Sequence, residues 1–311
     1  MNTIFFDSPF TDEERRKRLY DGQLFVFSPS RSSVALCHFA RELIQNAFGP
    51  LDPLTAQYRL PIEEYVNILV RLKPTFIHHP KCKELIRGML NELGCDLTKT
   101  FFDVPRMRTA TSDKYLTSGI AYAFHPHRDT WYSAPFCQLN WWLPIYDIAA
   151  DNALAFHPRY WGQPVRNTSS EFNYYEYNSD ARKNAAKYIH SDTRKQPRAE
   201  ECVELDPQIR IVTKVGGAIL FSGAQLHSTV PNTSGLTRFS IDFRTVNIDD
   251  VMARTGARNV DSACSGTALR DFMRATDLAR LPQDAIALYE EIPPVGGVLV
   301  FEHANSPLRS S

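Results

Sequence analysis

The chain of 311 residues carries 35 Lys plus Arg against 35 Asp plus Glu, with 43% hydrophobic and 23% charged residues. That balance suits a folded globular protein with a sizeable core, and zero net charge excludes a global electrostatic pull toward nucleic acid or an anionic membrane. Six scattered cysteines with no CxxC pair exclude a zinc-finger or disulfide framework and fit reduced thiols in a cytoplasm.

In chain order, residues 1–10 hold no basic region followed by an apolar run, and no later stretch is long and apolar enough for a bilayer. Neither secretion nor a membrane span is expected. The first third reads as a helical support. Residues 33–48 place Leu36, Phe39, Ala40, Leu43 and Ala47 at helical spacing and stop at Gly49. Pro61 opens a second helix over 62–72, and Pro80 a third that ends at Gly94. From residue 99, short aromatic and β-branched segments alternate with Pro, Gly, Asn and Asp clusters, which predicts strands at 100–107, 119–124, 136–146, 153–156, 209–214, 218–222 and 238–247. Such a run predicts a mainly β fold with flanking helices around an antiparallel double-sheet core of the jelly-roll type. Residues 158–207 interrupt the rhythm with Phe172, Tyr174, Tyr175 and Tyr177 and a helical stretch near 180–188. A long insertion between core strands is more often a functional lid than an idle loop. Beyond residue 249 one helix is predicted, over 267–277.

The sequence Phe124-His125-Pro126-His127-Arg128-Asp129-Thr130-Trp131 follows a predicted strand and contains His127-x-Asp129. Side chains two apart on extended backbone point the same way, so imidazole and carboxylate can converge on one metal ion. A distant second histidine completes a facial set with open positions. His227 is the candidate, between strand 218–222 and the turn Pro231-Asn232-Thr233-Ser234-Gly235. On the returning strand Arg238 comes back to the neighbourhood of His227, where a guanidinium suits the far carboxylate of a five-carbon diacid chelating the metal. Along that strand Arg238, Ser240, Asp242 and Arg244 share one face, and Phe239, Ile241 and Phe243 the other, which implies a wet cavity. Gln138, Asn140 and Ser240 are candidate cosubstrate contacts. The other readings are a buried hydrogen-bonded pair for His127 and Asp129, and a structural partnership with Asp242 for Arg238. His190-Ser191-Asp192 repeats the pattern but follows a solvated helical stretch and reads as a helix end. His78-His79 reads as a cap or a solvated surface before Pro80, and His157 is not assigned as a ligand.

His127-Arg128-Asp129, the distal His227 and the following Arg238 resemble the signature of the iron(II)/2-oxoglutarate oxygenases, over roughly residues 100–250. The spacing from His227 to Arg238 and the stretch 152–159 are similar to the phytanoyl-CoA hydroxylase-like branch. The resemblance implies a double-stranded jelly-roll core, iron(II) on His127, Asp129 and His227, and 2-oxoglutarate held by Arg238. It also implies that 2-oxoglutarate and O2 become succinate and carbon dioxide as a small organic substrate is oxidised. Halogenases related to this family have a small residue where Asp129 stands, so the carboxylate favours hydroxylation, desaturation or ring chemistry. His125, Trp131, Arg159 and Arg166 are the candidate substrate contacts. The lid arginines Arg159, Arg166, Arg182 and Arg194 among its tyrosines suit a small polar, anionic metabolite if they enter the cavity; the alternative is that they face solvent. The chain then reads as one catalytic domain: a helical support over 1–98, the core over 99–250 with its insertion at 158–207, and an extension over 251–311. The competing class is a cupin-like metal-binding jelly roll acting as an isomerase or ligand-binding protein, which has no need of the Arg238 clamp.

Overall fold

The computed structural model describes residues 3–121, 125–181, 185–190 and 192–290. Its strands are β1 (Ile4–Phe6), β2 (Leu24–Phe27), β3 (Thr100–Phe102), β4 (Arg106–Ala110), β5 (Leu139–Pro144), β6 (Leu154–Phe156), β7 (Ile209–Ile211), β8 (Ala218–Ser222), β9 (His227–Thr229), β10 (Arg238–Asn247) and β11 (Met273–Arg274). The large sheet runs β1-β2-β8-β5-β10-β3-β11, with β4 also on β10; the small one runs β7-β6-β9. These are the sheets expected of a mainly β, jelly-roll-type core with flanking helices.

The period-two alternation of the central strands sets the layers. Phe239, Ile241 and Phe243 of β10 share one apolar cluster with Leu139, Trp141 and Leu143 of β5 and with the helices. Trp141 stacks on Phe243 at 5.8 Å and on Phe27 at 6.0 Å. On the opposite face, Trp142, Ile219 and Phe221 join Leu24 and Val26 against Leu154, Phe156 and Ile211 of the small sheet. The polar residues of β10 lie on this second face and look into the space between the sheets.

The helical layer comprises α1 (Asp12–Tyr20), α2 (Arg31–Phe48), α3 (Ile62–His78) and α4 (Pro80–Glu92). Ser30 caps α2, which ends at Gly49 with φ 61°, and His79 caps α4 through Nδ1, as expected. The second helix runs past Pro74 instead of ending at 72. Pro74 has no N–H for the carbonyl of Val70, but the fully buried Phe76 one turn on keeps the helix packed. No described helix is long and apolar enough to cross a membrane.

Several elements differ from expectation. The first third is not only helical, because β1 and β2 extend the large sheet through β8. The predicted strand 100–107 splits into β3 and β4 around Asp103, whose carboxylate accepts the amide of Arg244 at 2.7 Å, and Pro105, which has no amide to give. The predicted strand 119–124 begins as a 3-10 turn, Gly119–Ala121, and 122–124 lie outside the described residues. In the insertion a π turn, Tyr177–Ala181, and a 3-10 turn, Ala185–Tyr188, replace the predicted helix. The predicted helix 267–277 is a 3-10 turn, Ala268–Asp271, followed by β11, which pairs with β3. Phe272 and Met273, both fully buried, hold that segment extended on the sheet edge.

Candidate metal centre

Two short backbone alignments build the site. His127 and His227 exchange both amide-to-carbonyl hydrogen bonds, each 3.0 Å, across an isolated bridge, and the Asp129 amide donates to the carbonyl of Gly223 at 2.8 Å. Arg128 between them is extended (φ −110°, ψ 143°), so His127 and Asp129 face one side and Arg128 the other. The buried Arg128 guanidinium donates to the carbonyls of Ala224 (2.6 Å), Tyr160 (2.5 Å) and Gln163 (3.0 Å) and to Asp261 (3.0 Å), which locks the segment.

On the inner side, Asp129 Oδ1 lies 3.5 Å from His127 Nε2 and 3.9 Å from His227 Nε2. One ligand atom from each residue falls within 4.8 Å of the others. Each imidazole presses Nδ1 on a backbone carbonyl, His125 at 2.8 Å and Gln225 at 2.9 Å. A carbonyl only accepts, so Nδ1 carries the proton and Nε2 keeps its lone pair for a cation. Asp129 Oδ2 is turned away and held by Asn140 (2.9 Å) and Gln138 (3.2 Å), with Arg244 Nε at 3.4 Å. Burial would raise the Asp129 carboxyl, but the neighbouring His127 and His227 imidazoles and the charge of Arg108 outweigh it and bring it to about 2. Burial, reinforced by His127 and opposed by Asp129, pushes His227 down to about 4. At neutral pH the site therefore presents a carboxylate and a neutral His227, the forms that bind a metal.

The triad opens into a cavity of about 460 Å³ between the sheets, α3 and the insertion. Arg238 lines it, as expected. Its guanidinium is buried, donates to the carbonyls of Asn152 (3.1 Å) and Ala153 (3.3 Å), and sits 5.5 Å from the Trp142 ring centroid. Asp242 is taken by Arg108, at 2.6 and 3.1 Å. Arg238 has no ion-pair partner among the described residues, and its Nε is buried without a hydrogen bond.

Other candidates stand elsewhere. Gln138 and Asn140 line the cavity, but their amides are spent on Asp129. Ser240 is buried with an unbonded hydroxyl and is not part of the cavity wall. His125, Trp131, Arg159 and Arg166 do not line it either. His125 contributes its carbonyl to His127. Trp131 is buried beside Tyr160, Val165 and Leu226, with its indole N–H on Asp261 at 2.7 Å. Because Tyr160 and Val165 pack inward, the Arg159 and Arg166 guanidiniums turn outward, to Glu204 and to Glu200, while the Arg166 backbone amide donates to Glu201. Arg182 lies outside the described residues. The second His-x-Asp is not gathered at the triad: His190 is exposed near Glu63, and Asp192 binds Arg194. His157 is buried on Ser228.

The wall also contains residues not singled out from the sequence: Lys73, Arg106, Arg108 and Tyr132. Lys73 had a legible signal. It lies four residues after Leu69 and three before Phe76, both buried, so it flanks the core-facing stripe of α3, which runs through Leu72.

No family model matches the chain, and no curated relative does. Among solved structures, the chain is similar to EvdO2 from Micromonospora carbonacea var. aurantiaca, at 14% identity over 76% of this chain and 91% of that one, with a TM-score of 0.43. It is also similar to the epimerase SnoN, solved with Fe3+, alpha ketoglutarate and nogalamycin RO (13% identity, 76% and 85%, TM-score 0.39). A third is AviO1 from Streptomyces viridochromogenes Tue57 (11% identity, 77% and 97%, TM-score 0.38).

Proposed function

We propose that the chain is an iron(II)- and 2-oxoglutarate-dependent oxygenase that oxidises a C–H bond of a small polar, anionic metabolite. The observation that carries this is Arg238. Two imidazole nitrogens and one carboxylate oxygen on one side of a cavity suit iron(II) and leave positions open. A diacid chelating that ion needs a cation set back by its own length. Ala153, whose carbonyl fixes Arg238, immediately precedes β6 and lies three residues from Phe156, the register partner of His227, a separation of about 10 Å at the strand rise. The buried, unbonded Nε of Arg238 leaves a donor for a carboxylate.

When bound, iron(II) with 2-oxoglutarate and O2 supplies oxidative decarboxylation to succinate and carbon dioxide and the oxidising power for C–H cleavage. The protein's own residues bind and orient. Asn140 and Gln138 keep one Asp129 oxygen pointed at the metal position, the two backbone carbonyls fix the imidazoles, and Arg238 aligns the cosubstrate. Phe172, Tyr174 and Tyr177 of the insertion cover the cavity and exclude water. The cationic lining supports an anionic substrate, and the His227-to-Arg238 spacing supports the phytanoyl-CoA hydroxylase-like branch.

The test is anaerobic addition of iron(II) and 2-oxoglutarate, followed by the metal-to-ligand charge-transfer band. The band is expected in the native protein and absent from an Asp129→Ala/His227→Ala variant. A native protein that binds iron(II) but gives no band with 2-oxoglutarate would instead fit the isomerase or ligand-binding class.

A further inference from the structure

Among the arginine and lysine side chains of the cavity wall, most are neutralised by a carboxylate. Arg106 pairs with Asp103, Arg108 with Asp242, Arg194 with Asp192, and Arg244 with Asp103 and Asp129. Two have no ion-pair partner among the described residues: Arg238, which faces the cosubstrate in the reading above, and Lys73. Lys73 Nζ donates to the backbone carbonyl of Ile120, so its charge is solvated but not neutralised.

The position of Lys73 is costly unless it is used. It stands half-buried beside the buried stripe of α3 formed by Tyr65, Leu69, Leu72 and Phe76, and lines the cavity with Val70, Pro74 and Ile77. Burial, with Arg108 adding and Asp242 opposing, pushes its ammonium down to about 7. An entering anion restores the charge. The wall that connects it to the metal is aromatic: the His127 ring lies 5.5 Å from Tyr132, Tyr132 5.3 Å from Phe172, and Phe172 5.4 Å from Tyr177. Arg194 closes the row by donating to the Tyr177 hydroxyl at 3.3 Å. Contiguous ring faces and edges suit a flat body.

We infer that Lys73 anchors the acidic group, carboxylate or phosphate, of a substrate whose flat, ring-containing body lies along Tyr132, Phe172 and Tyr177. This rests on the oxygenase reading only for which end of the cavity the cosubstrate takes. It also gives the helical first third a role, since α3 then brings the anchor to a site whose metal ligands come from elsewhere in the chain.

Benzoate, phenyl phosphate and neutral benzamide serve as probes of the anaerobic complex with iron(II) and 2-oxoglutarate. Binding is read by perturbation of the charge-transfer band, and acylation of Lys73 by acetic anhydride is read by peptide mass spectrometry. At least one anion is expected to bind more tightly than benzamide and to slow Lys73 acylation, and which one does so separates a carboxylate from a phosphate. Lys73→Met is expected to lose about 10- to 100-fold in affinity for that anion, the equivalent of one charged hydrogen bond. Benzamide and 2-oxoglutarate affinities stay unchanged, and Lys73→Arg recovers part of the loss. The inference is overturned if neither anion outbinds benzamide, or if Lys73→Met keeps the preference. Loss of the charge-transfer band in the native protein sinks the oxygenase reading separately, because protection of Lys73 from acylation does not depend on it.

Discussion

Replacing Arg238 with Met separates the clamp from the metal site. In the complex, losing a buried charged partner costs about 2–5 kcal/mol, which is roughly 30-fold to several-thousand-fold in the Kd for 2-oxoglutarate. Iron affinity should barely move, because no triad residue contacts Arg238. The free protein supplies an internal control. Burial lowers the guanidinium from 12.5 to about 10, so it is held about 3 kcal/mol above its solution state. Met removes that cost but strands the carbonyls of Asn152 and Ala153, at about 1–3 kcal/mol each. The two effects largely offset, and unfolding free energy in urea should stay within about 3 kcal/mol of native. The assay is an anaerobic titration of iron-loaded protein with 2-oxoglutarate, followed by the charge-transfer band and by calorimetry. Equal losses of iron and 2-oxoglutarate affinity, or an unchanged 2-oxoglutarate affinity, would refute the clamp. Arg238→Lys keeps the charge without the planar fork and should fall between the two.

Asn140→Ala leaves the triad intact but removes the shorter of the two amide hydrogen bonds to Asp129 Oδ2, so iron affinity in a competition titration should fall about 10- to 100-fold; an unchanged affinity would mean that Asn140 does not orient the carboxylate. Metal-free protein should lose stability in mild acid. His227 ionises at about 4 folded and 6.5 unfolded, so the unfolded chain binds more protons between those values. Unfolding free energy then falls by about 3 kcal/mol as pH drops through that window. The Asp129 contribution is lost lower still, from 3.8 toward about 2. Urea unfolding at about pH 6.5 and about pH 4.5 should show the loss in native protein and a flatter response in His227→Gln; parallel curves contradict the assignment. Arg194→Ala removes the ties to Asp192 (2.8 and 2.5 Å), Tyr177 and Gly119. It should speed limited proteolysis within 177–196 and raise 2-oxoglutarate consumption uncoupled from substrate, with iron affinity unchanged. Unaltered cleavage there would show that Arg194 does not hold the insertion.

The sequence made some features legible and hid others for identifiable reasons. β10 matches its predicted bounds because its polar and apolar residues alternate over enough positions to be read, and β8 because its short apolar run, buried throughout, is bounded by Gly217 and Gly223. The triad was legible because a two-residue spacing on extended backbone is local geometry, although the predicted strand before it begins as a 3-10 turn. His227 itself sits in β9, only three residues long, too short for a periodic signal. β11 was taken for a helix because the apolar residues over 267–277 fit either period, and only the exposed edge of β3 decides between them. α1 was missed because its nine residues, DEERRKRLY, show no apolar stripe; its Thr11 and Glu14 capping box was the available sign. Side-chain roles depended on contacts between distant segments. Nothing local distinguishes Arg194, which faces the cavity, from Arg159 and Arg166, which face solvent.

The polar stripe of β10 shows why a correct pattern can yield an incomplete assignment. Alternation placed Arg238, Asp242 and Arg244 in the cavity, but their work depends on partners from other strands. Asp242 neutralises Arg108 from β4; Arg244 reaches Asp103 beside β3 and then Asp129. A charge with such a partner is a scaffold: it fixes a neighbour and attracts an incoming anion weakly. Among the described residues Arg238 and Lys73 lack one, and each retains the field that a ligand carboxylate or phosphate would meet. In a cavity this rich in cations, recognition follows from which of them the fold has left unneutralised, and no linear pattern records that.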